Sequence, residues 1–284
     1  MRETSNPVFR SLPKQRGGYA QFGTGPAQMQ AYQANTYAPY EAPYQEAKPT
    51  RPMTIDDVVT KTGITLAVLS AVATVSFFLV ASQHALAAPF VFIGAFGGLA
   101  MVLVATFMRK YSPAIVLTYA ALEGLVLGAF SFLITFPLTI GSKHVSAGAL
   151  IFEAIIGTIG VFIGMLIVYK TGAIRVTPKF TRMLSAALIG VLILMIANLV
   201  LAMFHVGGGE GLGLRSAGPV GIGFSLLCIG IAAFCFLRDF DAADQMIRAG
   251  APEKAAWAIA LGLTVTLVWL YVEILNLLSL LQSD

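Results

Sequence analysis

After residue 53 the chain is dominated by long apolar runs broken by short polar connections. Seven of these runs are long enough to cross a hydrocarbon core of about 30 Å as helices. The pattern predicts spans at about 58–82, 89–108, 113–136, 147–169, 183–204, 219–240 and 256–281. Thr54 is placed to cap the first helix, with Asp56 and Asp57 in its first turn, where negative side chains meet the positive end of the helix dipole. Between the last two spans, Gly250 is placed as a helix terminator and Pro252 near a helix start. The expected fold is an all-α membrane protein, a bundle of seven transmembrane helices spanning residues 54–284.

Residues 1–53 break the pattern. They are rich in Gln, Ala, Pro, Gly and Tyr, and the tyrosines at 19, 32, 37, 40 and 44 follow neither helical nor strand period. Such a segment cannot bury a core and is expected to be a disordered tail. It is too polar for a cleaved signal, so the first span is expected to act as an uncleaved anchor.

Composition agrees with this division. The chain is 57% hydrophobic and 11% charged, whereas about a quarter of the residues in a soluble domain are charged. Charge placement orients the bundle. One set of connections holds Arg109, Lys110, Lys170, Arg175, Lys179, Arg182, Arg248 and Lys254, and the other holds Lys143 and Arg215. The positive-inside rule puts the first set and the tail in the cytoplasm. The net charge of +4 adds little. Cys228 and Cys235 lie seven apart on one helix, about 10 Å in rise and too far to bridge. The VGGGEGLG segment (206–213) lacks the Lys-Ser/Thr of a phosphate loop and reads as an outer turn. Glycines inside spans (Gly124 and Gly128; Gly157, Gly160 and Gly164; Gly221 and Gly223) mark expected close approaches of helices.

The candidate chemistry is carried by the few ionisable side chains within the spans. A carboxylate at mid-membrane costs about 2.5–3.5 kcal/mol on the insertion scale, so it marks a polar path or a proton site. Asp239 falls near the end of the sixth span and Glu273 in the middle of the seventh. Thr266, Trp269, Glu273 and Asn276 recur at spacings of three and four, forming one polar seam on a helix otherwise apolar, which suits a central position surrounded by the other six. Adjacent antiparallel helices would bring Asp239 and Glu273 to one side, with Glu273 about 10 Å deeper, so that tilt or a bent sixth helix is needed for them to meet. If they meet, they cannot both ionise cheaply and titrate as a unit. A shared proton would hold the helices together, and flux would rise with pH as it leaves. Two carboxylates are also hard ligands for a weak Ca2+ site. Arg109 is the expected counter-charge. Glu123, Asn276 and Asp241 are secondary candidates along the path, Glu153 reads as interfacial, and Asn198 is expected to bond across helices.

The segments FMRK (107–110), TYAALEGLVLG (118–128), LRDFD (237–241) and LYVEILNLLSLL (270–281) resemble the Bax inhibitor-1 family, in its bacterial YccA-like branch, over residues 54–281. The resemblance implies a seven-helix bundle with the last helix central. It also implies a pH-sensitive Ca2+ leak gated by two proton-sharing acids, here Asp239 and Glu273, with Arg109 exchanging partners as the pore opens. Glu273 stands where the family usually has Asp. Ca2+ and protons are then the transported or sensed ions, in a bacterial plasma membrane, with no cofactor and no nucleic acid. The alternative is a non-transporting regulator that reaches a membrane protease or stress response through the tail. An enzyme is not expected: His84, His144 and His205 show no metal-ligand spacing within a helix.

Overall fold

The computed structural model of the chain describes residues 51–108, 111–140 and 146–283. The tail up to residue 50, together with Arg109, Lys110, Lys143 and His144, lies outside the described residues. Seven helices follow one another: α1 (Ile55–Ser82), α2 (Ala87–Phe107), α3 (Pro113–Ile140), α4 (Ala147–Thr171), α5 (Pro178–Met203), α6 (Pro219–Arg248) and α7 (Ala256–Ser283). Each is long and apolar enough to cross a membrane. The expected spans are all present, and the main departure is α6. It runs two turns past its apolar segment, because Asp241, Asp244, Gln245 and Arg248 continue the helix in water.

The helix ends follow from local sequence. Thr54 caps α1 in a full capping box: its hydroxyl accepts from the Asp57 N–H, and the Asp57 carboxylate accepts from the Thr54 N–H. α6 ends at Gly250 (φ +65°), which any side chain would strain. There the Ala251 and Gly250 N–H groups close back onto the carbonyls of Met246 and Ile247, the paired bonds of a Schellman motif.

α7 is the core element. Of its apolar window 56% is buried, against 6% for α5. It packs against α1, α3, α4 and α6, whereas α2 lies on α3, and α5 on α6 and the connection before it. The last helix is therefore central, though ringed mainly by four helices rather than six. α2, α4 and α5 present Phe92, Phe96, Ile155, Ile159, Leu192 and Leu199 outward. That much exposed apolar surface suits lipid and would be a liability in water.

α1 and α3 run parallel and nearly touch at Gly124 and Gly128, where a Cβ would collide with the α1 backbone at Leu69 and Ala73. The Ser76 hydroxyl donates to the Leu125 carbonyl across this contact (2.8 Å). Gly157 does meet a neighbour, Ile274 of α7, and Gly221 meets both the Ser216 backbone of the preceding loop and Leu280 of α7, but Gly160, Gly164 and Gly223 face open space.

Residues 51–53 are not part of a free tail. Met53 is buried in the main core cluster and its N–H donates to the Ala251 carbonyl (2.8 Å), while the Glu253 N–H donates to the Arg51 carbonyl (3.0 Å). The start of the bundle is thus strapped to the α6–α7 turn.

Candidate functional site

The antiparallel α6–α7 contact carries the polar seam. On α6, Ser225, Cys228, Cys235 and Asp239 recur at helical spacing on one face; on α7, Asn276, Glu273, Trp269 and Thr266 face them. Asn276 Nδ2 donates to Ser225 Oγ (3.0 Å), and Thr266 Oγ1 donates to Asp239 Oδ2 (2.7 Å). Cys228 and Cys235 are free, buried thiols between these two contacts.

Glu273 has no solvent exposure at all, and its partner is Arg215, whose Nη2 donates to Oε1 at 2.8 Å. The arginine comes from the connection between α5 and α6, and the chain there is built to deliver it. Gly207, Gly208, Gly209, Gly211 and Gly213 all have positive φ, folding the segment tightly. Asn198 Oδ1 accepts from the Leu212 N–H (2.7 Å), pinning the loop to α5. Leu214 is buried against α5 and α6, and the Ser216 carbonyl lies so close to Gly221 that a Cβ there would strike it. Arg215 is thereby held at the mouth of the bundle with about a third of its side chain exposed.

The pair is incompletely satisfied. Glu273 Oε2 and Arg215 Nη1 are both buried without a hydrogen-bond partner. The Trp269 indole, one turn back on α7, lies beside the carboxyl, yet Oε2 closes no well-directed hydrogen bond. A buried charge held by one hydrogen bond is poised to change state, since each missing partner leaves desolvation uncompensated.

Several expectations need correction. No hydrogen bond joins Asp239 and Glu273; each takes its own partner. Thr266, level with Asp239, precedes Glu273 by seven residues on α7, about 10 Å of rise. α6 is continuous through this region, so nothing removes the offset in depth. The shared proton and the common Ca2+ ligand set are therefore not formed in this conformation. Among the described residues no three His, Cys, Asp or Glu side chains gather as a metal site. The counter-charge of Glu273 is Arg215, and Arg109 lies outside the described residues. Asn198 bonds a loop N–H, not another helix.

The secondary candidates scatter. Asn276 belongs to the seam. Glu123 is half-buried on α3 and turned toward α2, its Oε2 close to Gly98. Asp241 accepts from Gln245 (2.6 Å) and lines a cavity of about 600 Å³ with Thr181 and Arg182 of α5. Glu153 is exposed, as an interfacial acid should be.

Arg215 is the residue that sequence reasoning missed. Its signal was visible: one of two basic residues on the side otherwise bare of positive charge, set between glycines.

The sequence model of the family described as Bax inhibitor 1 like matches residues 6–283, so the match takes in most of the tail as well as the bundle. No curated protein matches the sequence. With seven apolar helices of membrane-spanning length and a family match over nearly its whole length, this integral membrane protein belongs to the Bax inhibitor 1 like family.

Proposed function

We propose that the protein is a passive, Ca2+-permeable leak of a bacterial plasma membrane, gated by protonation of carboxylates in the α6–α7 seam. The basic end, with Lys170, Arg175, Arg182, Arg248 and Lys254, faces the cytoplasm by the positive-inside rule. The observation that carries the reading is the fully buried Glu273 held by the part-exposed Arg215 at the opposite end of the seam. Asp239 marks the seam's cytoplasmic half, and buried apolar side chains close the space between the two acids. The conformation is the shut one. Transport needs no covalent step and no cofactor; Ca2+ and protons are the ligands.

The geometry changes the expected sign of gating. With a shared proton, deprotonation would open the seam. With Arg215 as the lock, a charged Glu273 holds the outer loop down, and a proton on Glu273 releases it. Cys228 is the other titratable side chain beside this carboxyl. Flux therefore rises on acidification of the outer side. Glu273→Gln, lacking the charge that holds Arg215, gives flux that is high and flat with pH. Asp239→Asn lowers Ca2+ flux at every pH by removing the second acid of the path. These outcomes are read from Ca2+ uptake into proteoliposomes of fixed lipid composition at outer pH values on either side of neutrality. Wild-type flux that ignores pH, or two variants indistinguishable from it, removes the seam from the mechanism.

The Arg51–Met53 strap favours a second reading, in which the tail carries a partner protein, a membrane protease among them, and signals to α7. Removing residues 1–50 while keeping the strap leaves flux unchanged under the first reading. A regulator acting through its tail loses its cellular phenotype instead.

A further inference from the structure

A second polar cavity lies at the basic end, away from the seam. Its volume is about 670 Å³, and it is lined by Arg51, Lys61, Tyr111, Ser112, Lys254 and Trp257 together with Pro113 and Glu253. It sits where α1, α3 and α7 begin, at the edge of the apolar slab.

The acids at this place have their oxygens occupied. Glu253 Oε1 accepts from Lys61 Nζ (3.2 Å), and its Oε2 faces Arg51 Nε (3.4 Å). Asp57 Oδ1 accepts from Arg51 Nη2 (2.6 Å), and its Oδ2 accepts from the Thr54 N–H and hydroxyl. Against these two carboxylates stand three cations, so the cluster keeps one positive charge in excess. Lys254 is exposed and makes no ion pair among the described residues. Lys61 is buried, and its ammonium lies 5.9 Å from the centre of the Trp257 ring. The hydroxyls of Tyr111 and Ser112 line the same space, and the positive end of the α3 dipole opens there. Trp and Tyr collect at the headgroup level of membranes because their rings are apolar with one polar edge.

We propose that this cavity binds the phosphate of an anionic glycerophospholipid headgroup from the cytoplasmic leaflet, with Lys254 as the principal anion contact and Trp257 as its apolar wall. The size, the excess positive charge, the saturated acids and the interfacial aromatics all fit that ligand. A free phosphate ion shares the oxyanion chemistry but would leave the apolar wall and most of the volume unused.

The test uses the purified full-length protein in detergent, titrated with short-chain phosphatidylglycerol, short-chain phosphatidylcholine or inorganic phosphate. Binding is read from tryptophan fluorescence and from lipid retained in native mass spectrometry. Phosphatidylglycerol gives a saturable change that Trp257→Phe abolishes, and the other two ligands bind more weakly. Lys254→Gln weakens phosphatidylglycerol about fivefold, the loss of one interfacial cation, while Lys179→Gln, an exposed lysine at the same end outside the cavity, does not. Equal binding of phosphatidylcholine overturns the proposal, as does equal weakening by the two lysine variants, which would mean general surface charge. Inorganic phosphate binding as tightly as phosphatidylglycerol overturns the lipid assignment.

Discussion

Replacing Arg215 with alanine should destabilise the folded bundle by about 3 kcal/mol, the low end for breaking a buried ion pair by removing one partner. The low end applies because about a third of the arginine side chain is exposed, so water already supports part of its charge. The loss comes from the other side of the pair. Glu273 keeps no solvent exposure, and its Oε2 already lacks a well-directed hydrogen bond, so Arg215→Ala leaves the carboxylate with the Trp269 indole alone beside it and no charged partner. Thermal unfolding in detergent reads the effect as a lower midpoint. The double variant Arg215→Ala, Glu273→Gln removes both charges and should recover most of the loss. If Arg215→Ala unfolds at the wild-type midpoint, the guanidinium is a surface ornament and the outer lock fails with it. Arg215→Lys keeps the charge but not the planar fork, and should fall between the two.

The same pair shows what a sequence does and does not disclose. The number of helices, the start at Thr54 and the stop at Gly250 were legible from apolar runs and from residues within one turn of each end, whereas α5 begins at Pro178, ahead of the expected 183, because Thr177 caps it before the apolar run starts. The centrality of α7 was legible because a polar seam of Thr266, Trp269, Glu273 and Asn276 on an apolar helix needs protein on all sides. The partner of Glu273 was not legible. Periodicity places a side chain on a face of its own helix, but it is silent about a loop that folds back over the bundle. The Arg215 approach depends on three long-range facts: the Asn198 bond to Leu212, the burial of Leu214, and the bare backbone of Gly221 under Ser216. None of these has a sequence period. The depth offset between Asp239 and Glu273 was countable from the α6–α7 turn, and continuous α6 left it in place. The extent of the family match, from residue 6, is likewise invisible to a reading that follows apolar periods, because the Gln- and Tyr-rich sequence before residue 53 shows none.

Gly128→Ala should be as damaging as the loss of Arg215, although it adds a single methyl group. Its Cβ would fall onto the Ala73 carbonyl and within 2.6 Å of Ser76 Cβ and 2.7 Å of the Phe77 nitrogen, all on α1. Backbone atoms cannot swing aside as a side chain can, so the methyl has room only if the whole of α1 moves. That movement breaks the Ser76–Leu125 hydrogen bond and separates Gly124 from Leu69 one turn away. It also pulls on α7, since Leu69 of α1, Ala120 and Leu127 of α3 and Val268 of α7 share one cluster. Overpacking of this kind costs about 3 kcal/mol when the neighbour is rigid. Between membrane helices there is little hydrophobic drive to restore the contact, because lipid tails compete equally well for the apolar faces. Gly160→Ala on α4 is the matched control, a glycine in a span with nothing within 4 Å of the added atom. It should be neutral or should gain up to about 1 kcal/mol from better helix propensity. Unfolding midpoints of the two variants decide the matter: a large gap means that the α1–α3 contact is set by backbone approach, and equal midpoints mean that α1 shifts freely and does not fix the wall against which α7 is held.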